Sequence, residues 1–168
     1  AGTDGARGDI GWHWCRRHGF AMWNELVRRI VGYGYAPQYA LYWTFAILTF
    51  LTTFYLIVWY AGGMVPNSPV VLNSGDWAKA LAMDAAKPGP VWAATMPSAA
   101  HYETFVSGFY AADVFIPLIN FGQEAAWTAT TKNWAGCAAF VITFMFKGFG
   151  WFITALGAAA ITGLIRRD

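Results

Sequence analysis

The sequence predicts an all-α membrane protein: two transmembrane helices, an N-terminal interfacial amphipathic helix, and an extracytoplasmic loop with a half helix. The first reason is composition, because 57% of the 168 residues are hydrophobic, 18% are aromatic and only 12% are charged. Soluble domains carry about 25% charged residues. The second reason is that two apolar stretches each reach the roughly 20 residues that a helix needs to cross the bilayer core. The third is that every arginine lies outside the segment between them.

The same composition excludes several classes of protein. Ten Trp, eight Tyr and thirteen Phe residues carry far more apolar surface than a disordered chain can keep solvated. A net charge of +2 is too small to indicate binding to DNA or RNA. We therefore predict no nucleic acid among the partners.

Signatures of catalysis and of cofactor binding are missing from the sequence. It has no Gly-rich phosphate loop, no GxSxG elbow and no HExxH pair, so we predict that the protein is not an enzyme. His13, Cys15 and His18 lie close together, but a structural zinc site normally needs four ligands. Neither predicted span contains a histidine that could ligate a haem. We predict no catalytic residue, no metal ligand and no cofactor.

Residues 1–36 are predicted to be a cytoplasmic segment with an interfacial helix. Between Trp12 and Val31, apolar residues recur every three to four positions and polar residues cover the other face, which is typical of a helix lying on anionic lipid. A Val-Gly-Tyr-Gly run at 31–34 spells most of a potassium-channel filter, but it precedes both spans, so we interpret its glycines as a bend. The anchoring residues would be Trp12, Trp14, Trp23, Arg28 and Arg29.

Transmembrane helix 1 is predicted at residues 37–61. The stretch from Tyr39 to Ala61 contains no charged residue, and Pro37 suits the first turn of a helix. Trp59 would anchor the outer end, because aromatic residues concentrate where the membrane meets water.

Transmembrane helix 2, with a short cytoplasmic tail, is predicted at residues 134–168. Lys147 is the one charge in its apolar part, and Arg166 and Arg167 would anchor its inner end. A helix that rises about 1.5 Å per residue from Arg166 crosses a bilayer core of about 30 Å and emerges near Lys147. We therefore predict that Lys147 lies at the outer interface, where its ammonium reaches water. The alternative is a buried functional charge.

A face of small residues runs along transmembrane helix 2. In lipid, small residues at four-residue spacing let two helices approach closely. We predict that this face packs against a larger membrane partner or a further copy; alternatively, it packs on helix 1 of its own chain. The residues of this face are Gly150, Thr154, Ala155, Ala158, Ala159, Thr162 and Gly163.

Both termini are predicted to be cytoplasmic. Lys and Arg residues that flank a span are retained on the cytoplasmic side, and all the arginines lie before the first span or after the second. Residues 62–133 then lie on the far side of the membrane. Cys15 and Cys137 would face opposite compartments, so we predict that they form no disulfide.

Residues 62–133 are predicted to be an extracytoplasmic loop with a membrane-hugging segment at 102–121. A short helix from Asp76 to Ala86, capped by Ser74, is expected near its start. The segment 102–121 is apolar, but it is too short to cross a bilayer and is interrupted by Pro117. We expect a half helix that either re-enters the membrane or lies on its surface.

The polar residues at the end of this half helix have two interpretations. In an oligomer, Asp113 and Glu124 could each form a ring of carboxylates, which favours cations in a pore. Alternatively, the segment caps the helices, with Asp113 paired to Lys132 or Lys147. The candidate pore or capping residues are Asp113, Pro117, Asn120, Gln123 and Glu124.

Several segments together resemble the C-terminal two-span membrane module of bacterial pentapeptide-repeat-containing membrane proteins. They are YGYAPQYALYW, GMVPNSPVVL, FYAADVFIPLINFGQEAAW and GWFITALGAAAITGLIRRD. The resemblance covers residues 32–168 and is most specific at 113–123 and in the tail. Where the module has Tyr-Ser-Leu-Asp, this chain has Tyr-Ala-Ala-Asp at 110–113. The resemblance implies a bacterial inner-membrane module without an activity that transfers, and the missing repeats lead us to expect a fragment of a longer protein.

From these observations we predict a non-enzymatic integral membrane anchor or accessory subunit that packs into a larger bacterial membrane complex. Its partners would be the lipid bilayer and other membrane subunits, or further copies of itself. The alternative is a small oligomeric two-span ion channel with the Asp113 segment lining its pore. The copy number in mild detergent distinguishes the two hypotheses.

Overall fold

A computed structural model describes residues 37–165, with side chains from Leu41 to Ala158 except Leu156. The described part is mostly helical, as predicted, but it also contains two strands of three residues that the all-α prediction did not include. The helices are α1 (Pro37–Tyr60), α2 (Pro69–Leu72), α3 (Gly75–Met83), α4 (Pro88–Thr95), α5 (Ser107–Phe115), α6 (Gln123–Ala126) and α7 (Trp134–Ile165), with a 3-10 turn at Pro97–His101 and the strands β1 (Met64–Pro66) and β2 (Trp127–Ala129). The predicted interfacial helix lies outside the described residues.

Two helices are long and apolar enough to cross a membrane, as predicted. The qualifying stretches are Leu41–Tyr60 in α1 and Trp134–Ala155 in α7. No charged residue interrupts α1, and α7 continues without a break past Lys147. Length and apolar composition therefore support the two predicted spans.

The chain divides into two units within α1, at residues 46 and 47. The described part of the first unit is the beginning of α1. There Tyr42 and Trp43 meet edge to face at 5.9 Å, and both are exposed. The second unit contains the remainder of α1 and every other described element.

In the second unit, α1 packs against α7 through a narrow face. Leu51, Tyr55 and Val58 are buried on α1 at a spacing of three to four residues, which places them on one side of the helix. The Thr143 hydroxyl donates to the Ala139 carbonyl at 2.7 Å. Its oxygen is therefore the acceptor for the Tyr55 hydroxyl, 2.8 Å away. The two long helices are joined by a buried hydrogen bond as well as by apolar contact.

The chain from residue 61 to residue 133 folds back so that its two ends meet. Strands β1 and β2 pair antiparallel, with Val65 opposite Thr128. Asn133 connects the two long helices: its amide nitrogen donates to the Gly62 carbonyl at 3.0 Å, and its oxygen accepts from the Gly136 N–H at 2.7 Å. This connecting region is a folded unit rather than an open loop.

An aromatic cluster forms the core of the connecting region. Trp92 and Trp127 are almost fully buried, and Tyr102 meets Trp127 edge to face at 5.6 Å. Trp59 joins the cluster from α1 by stacking on Phe105 at 4.7 Å. Such aromatic pairs contribute roughly 0.5–1.5 kcal/mol beyond the area they bury. The cluster therefore holds the connecting region firmly on the end of α1.

The helix expected after Ser74 is present as α3. The Ser74 hydroxyl accepts from the Trp77 N–H at 3.2 Å, which is the predicted capping contact. The helix ends at Met83, three residues before the expected Ala86, because the Asp84 carboxylate accepts from the N–H groups of the next turn instead.

Candidate functional site

The candidate site is built on α5, the half helix expected within residues 102–121. Tyr110, Ala111 and Val114 are buried, and the Tyr110 ring meets Tyr55 of α1 edge to face at 4.7 Å. The helix ends at Phe115 because Pro117 lacks an N–H group and disfavours the helical conformation in the residue before it. The polar residues after α5 are thereby turned back toward α7.

Asp113 caps the next helix. Its side chain is 7% exposed. One carboxylate oxygen accepts from the Phe121 N–H at 2.6 Å, and the other accepts from the N–H groups of Gln123 at 2.8 Å and Glu124 at 3.2 Å. These bonds satisfy the donors at the start of α6, which a helix leaves without internal partners. The partners of Asp113 are thus backbone groups rather than Lys132 or Lys147.

Gln123 ties the start of α5 to α6. It is 4% exposed; its amide oxygen accepts from the Val106 N–H at 2.9 Å, and its nitrogen donates to the Thr104 carbonyl at 3.0 Å. Nearby, the Trp127 indole N–H donates to the Glu103 carbonyl at 2.9 Å. The backbone of residues 103–106 is therefore hydrogen-bonded to side chains of the segment that follows the half helix.

Glu124 and Lys147 form an ion pair between α6 and α7. Their side chains are 33% and 42% exposed, respectively, and both line two neighbouring cavities. The larger cavity, about 370 Å³, is also lined by Asp113, Asn120 and Trp151. The smaller one, about 190 Å³, reaches Tyr110 and Thr143. The ion pair therefore places two charged side chains at a polar space beside α7.

The small-residue face of α7 begins with a contact inside the chain. At Gly150, a Cβ atom would collide with the Phe115 carbonyl and lie 3.5 Å from Cδ of Pro117, so the helix backbone rests on the end of α5. Thr154 is half-buried and its hydroxyl donates to the Gly150 carbonyl at 2.9 Å. Ala155 and Ala158 are exposed. The side chains of Ala159, Thr162 and Gly163 lie outside the described part.

The predicted anchoring residues fall into two groups. Trp59 is half-buried in the aromatic cluster, and Lys147 is in the ion pair with Glu124. The others lie outside the described residues: Trp12, Trp14, Trp23, Arg28, Arg29, Arg166 and Arg167. Of the polar candidates, Asn120 lies in the turn, where its side-chain oxygen accepts from the Gly122 N–H at 2.8 Å.

Two polar contacts between the long helices escaped the sequence analysis. Asn133 donates to the Gly62 carbonyl just after α1; it directly precedes the apolar run of α7 and accepts from Gly136, and Asn in this place is a recognised signal for the start of a helix. The bond between Tyr55 and Thr143 had no such signal, because the two residues are far apart in sequence.

The polar side chains of this arrangement differ in what they contact. The side chains of Asp113 and Gln123 are hydrogen-bonded to backbone groups, whereas those of Glu124 and Lys147 line the cavities. Within residues 37–165, no group of three or more His, Cys, Asp or Glu side chains is placed to hold a metal ion. Cys137 is a free, exposed thiol. Comparisons of this chain with protein-family models, with curated proteins and with solved structures gave no match.

Proposed function

We propose that this protein is a non-enzymatic anchor or accessory subunit of the bacterial inner membrane, with both termini in the cytoplasm. The observation that supports this function best is the exposure of the two long apolar helices. Only 17% of the qualifying stretch in α1 and 22% of that in α7 is buried inside the chain. The core helices of a soluble protein are mostly covered by their own chain. The remaining apolar surface needs a cover of lipid or of another membrane protein.

The small residues of α7 support the accessory role. The face begins at Gly150, which rests on α5, and it continues to Ala155, which is exposed. A Cβ atom at Gly157 would also meet open space. Small exposed residues in a membrane helix allow close packing with a second helix. We propose that a helix of a partner subunit packs here.

One observation favours the alternative of an oligomeric two-span channel. The cavity of about 370 Å³ brings Asp113, Asn120 and Glu124 to one polar space next to α7. However, Asp113 is engaged by three backbone N–H groups and Glu124 is paired with Lys147. Neither carboxylate is available to an ion without breaking these contacts, so the accessory role is better supported.

Native mass spectrometry after extraction in mild detergent tests the proposal. We expect one copy of the chain bound to unrelated membrane subunits. A symmetric homo-oligomer that conducts ions in liposomes would contradict the accessory role and support the channel.

Paired variants test the proposed face. Ala155→Leu should reduce co-purification of the partner subunits several-fold, because a larger side chain keeps the helices apart. The matched control is Ile153→Leu, which conserves volume and lies on roughly the opposite side of α7. Equal co-purification of both variants would show that the partner contacts another face.

A further inference from the structure

We infer that residues 107–121, which comprise α5 and the turn after it, form a re-entrant segment whose apolar side chains contact lipid acyl chains within the bilayer. The inference rests on the membrane location in the proposed function. It chooses between the two positions that the sequence left open for this segment, re-entry into the membrane and attachment to its surface. It also determines which residues of α7 lie inside the bilayer.

The turn after α5 presents an uncharged apolar surface. Leu118 is 80% exposed, and Ile119 and Phe121 are 40% and 47% exposed. Phe121 stacks on Phe109 of α5 at 4.8 Å, so the apolar surface continues onto the half helix. From residue 104 to residue 123, Asp113 is the one charged residue, and it is buried in its capping contacts. A continuous exposed patch of this kind marks an interaction site.

The segment lies beside the two long helices at a depth that their contacts define. A Cβ atom at Gly108 would touch the Thr52 side chain of α1 at 3.8 Å, and the Gly150 backbone of α7 rests on the Phe115 carbonyl. At about 1.5 Å per residue, Gly150 is about 24 Å along the helix axis from Trp134. The turn therefore lies next to the apolar stretch Trp134–Ala155 and away from its outer end.

The outer halves of the long helices indicate where the bilayer ends. Ile57 on α1 is 60% exposed, and Val141, Phe144 and Met145 on α7 are 55–63% exposed. If Lys147 marked the outer boundary, as the sequence alone predicted, all of these side chains would face water. Exposing apolar surface to water costs about 25 cal/mol per Å². Burying these side chains in lipid removes this cost. The outer boundary then lies near Tyr60 and the start of α7.

A groove beside α5 is lined by both polar and apolar side chains. Its volume is about 510 Å³, and its lining includes His101 and Glu103 as well as Phe109 and Phe121. Thr104 and Val106 of this lining flank Phe105, which stacks on Trp59 near the outer end of α1, so the groove connects this level with Phe121 of the turn.

Several N–H groups in and after the irregular part of the segment have internal partners. Asp113 accepts from the N–H groups of Phe121, Gln123 and Glu124, and the Ile119 N–H donates to the Ile116 carbonyl at 3.0 Å. Non-helical backbone is tolerated at membrane depth only where protein or an enclosed polar cavity satisfies it. At this depth Lys147 is inside the bilayer, where its pairing with Glu124 reduces the cost of the charge.

Spin-label accessibility in liposomes of phosphatidylethanolamine and phosphatidylglycerol tests the inference. Single cysteines are introduced by Leu118→Cys, Val141→Cys, Ile153→Cys and Ala82→Cys into the chain carrying Cys15→Ser and Cys137→Ser. The replaced side chains are exposed, so the labels disturb little packing. We expect labels at Leu118 and Val141 to collide with oxygen at least several-fold more than with a water-soluble nickel chelate, and the label at Ala82 to show the reverse.

The control at Ile153 separates two kinds of failure. Ile153 is inside the membrane whether α7 crosses at the depth predicted from sequence or at the depth inferred here. If its label reports lipid while that at Leu118 reports water, the re-entrant segment is refuted and the membrane location stands. If the Val141 label alone reports water, the inferred depth of α7 is refuted. If the Ile153 label also reports water, the membrane location in the proposed function fails.

Discussion

At the level of single residues, Asp113 shows how a charge in an apolar segment acquires its role. From the sequence it was a candidate for lining a pore or for capping, with Lys132 or Lys147 as its partner. The carboxylate instead accepts from three backbone N–H groups. Those donors lie eight to eleven residues later in the chain, and the reversal at Pro117 brings them back. No local sequence pattern specifies such a contact.

Replacing this carboxylate tests its capping role. Asp113→Asn keeps the shape of the side chain but removes its charge and one acceptor, so buried N–H groups lose their partner. We expect the free energy of unfolding to fall by about 1.5–3 kcal/mol, since hydrogen bonds to charged groups are the strong ones. Denaturant titration in mixed micelles measures this. The control is Glu103→Gln, which neutralises an exposed carboxylate and should leave the unfolding midpoint unchanged; equal effects would contradict the capping role.

Because of Tyr102, we expect the free energy of unfolding to depend on pH in the alkaline range. Its hydroxyl donates to the Ala126 carbonyl at 2.6 Å, and burial raises the pKa of this phenol above its ordinary value. The unfolded chain, with a tyrosine pKa of about 10, ionises first, so the contribution of Tyr102 is complete below that pH and is lost as pH rises through the folded value. Tyr102→Phe should therefore cost about 0.5–1.5 kcal/mol at neutral pH.

The stability difference between the parent and Tyr102→Phe should shrink between pH 9 and pH 11. Unfolding titrations of both proteins across this range check it. The remaining ionisable groups are common to both chains, so their titration cancels in the comparison. A difference that stays constant with pH would show that Tyr102 does not contribute through its ionisation.

At the level of elements, the contact between α5 and α7 depends on a glycine, which has no side chain. Gly150 lets the α7 backbone rest on the Phe115 carbonyl, and this contact positions the turn that carries Asn120. The small-residue pattern predicted that α7 packs closely. It left the partner open, and within the described chain the partner at Gly150 is the half helix rather than helix 1.

A pair of glycine substitutions tests this contact. Gly150→Ala places a Cβ atom against the Phe115 carbonyl and should destabilise the protein by about 1–3 kcal/mol through overpacking. Gly148→Ala is the matched control in the same helix, because a Cβ atom there meets open space. It should stabilise by up to about 1 kcal/mol through helix propensity. Thermal unfolding in detergent measures both, and a neutral Gly150→Ala would refute the close contact.

At the level of the whole molecule, the direction in which the chain crosses the membrane stays a prediction. It depends on the arginines that flank the two spans, and these lie outside the described residues. The fold between the two long helices gives the connecting region a rigid form: Asn133 joins the end of α1 to the start of α7, and Trp92 and Trp127 are buried in its aromatic cluster. We therefore expect residues 62–133 to lie together on one side of the membrane, apart from the segment that re-enters it.

Cysteine labelling tests this orientation. In spheroplasts, a membrane-impermeant maleimide should react with Ala82→Cys in a chain that carries Cys137→Ser, because Ala82 is exposed on α3. Native Cys15 in the same chain should react only after the membrane is permeabilised. Labelling of Cys15 in intact spheroplasts would place the N-terminus outside and reverse the proposed topology.

The two apolar helices, the half helix and its end before Pro117 could be predicted from the sequence because each depends on neighbouring residues. Hydropathy, helix length and the backbone restriction of proline are local properties. The pairing of the polar groups could not be predicted. Asp113 with the start of α6, Glu124 with Lys147 and Tyr55 with Thr143 are contacts between segments that only chain reversal brings together. Tertiary structure decided them, because a buried polar group takes whichever partner the packed backbone places within hydrogen-bond distance.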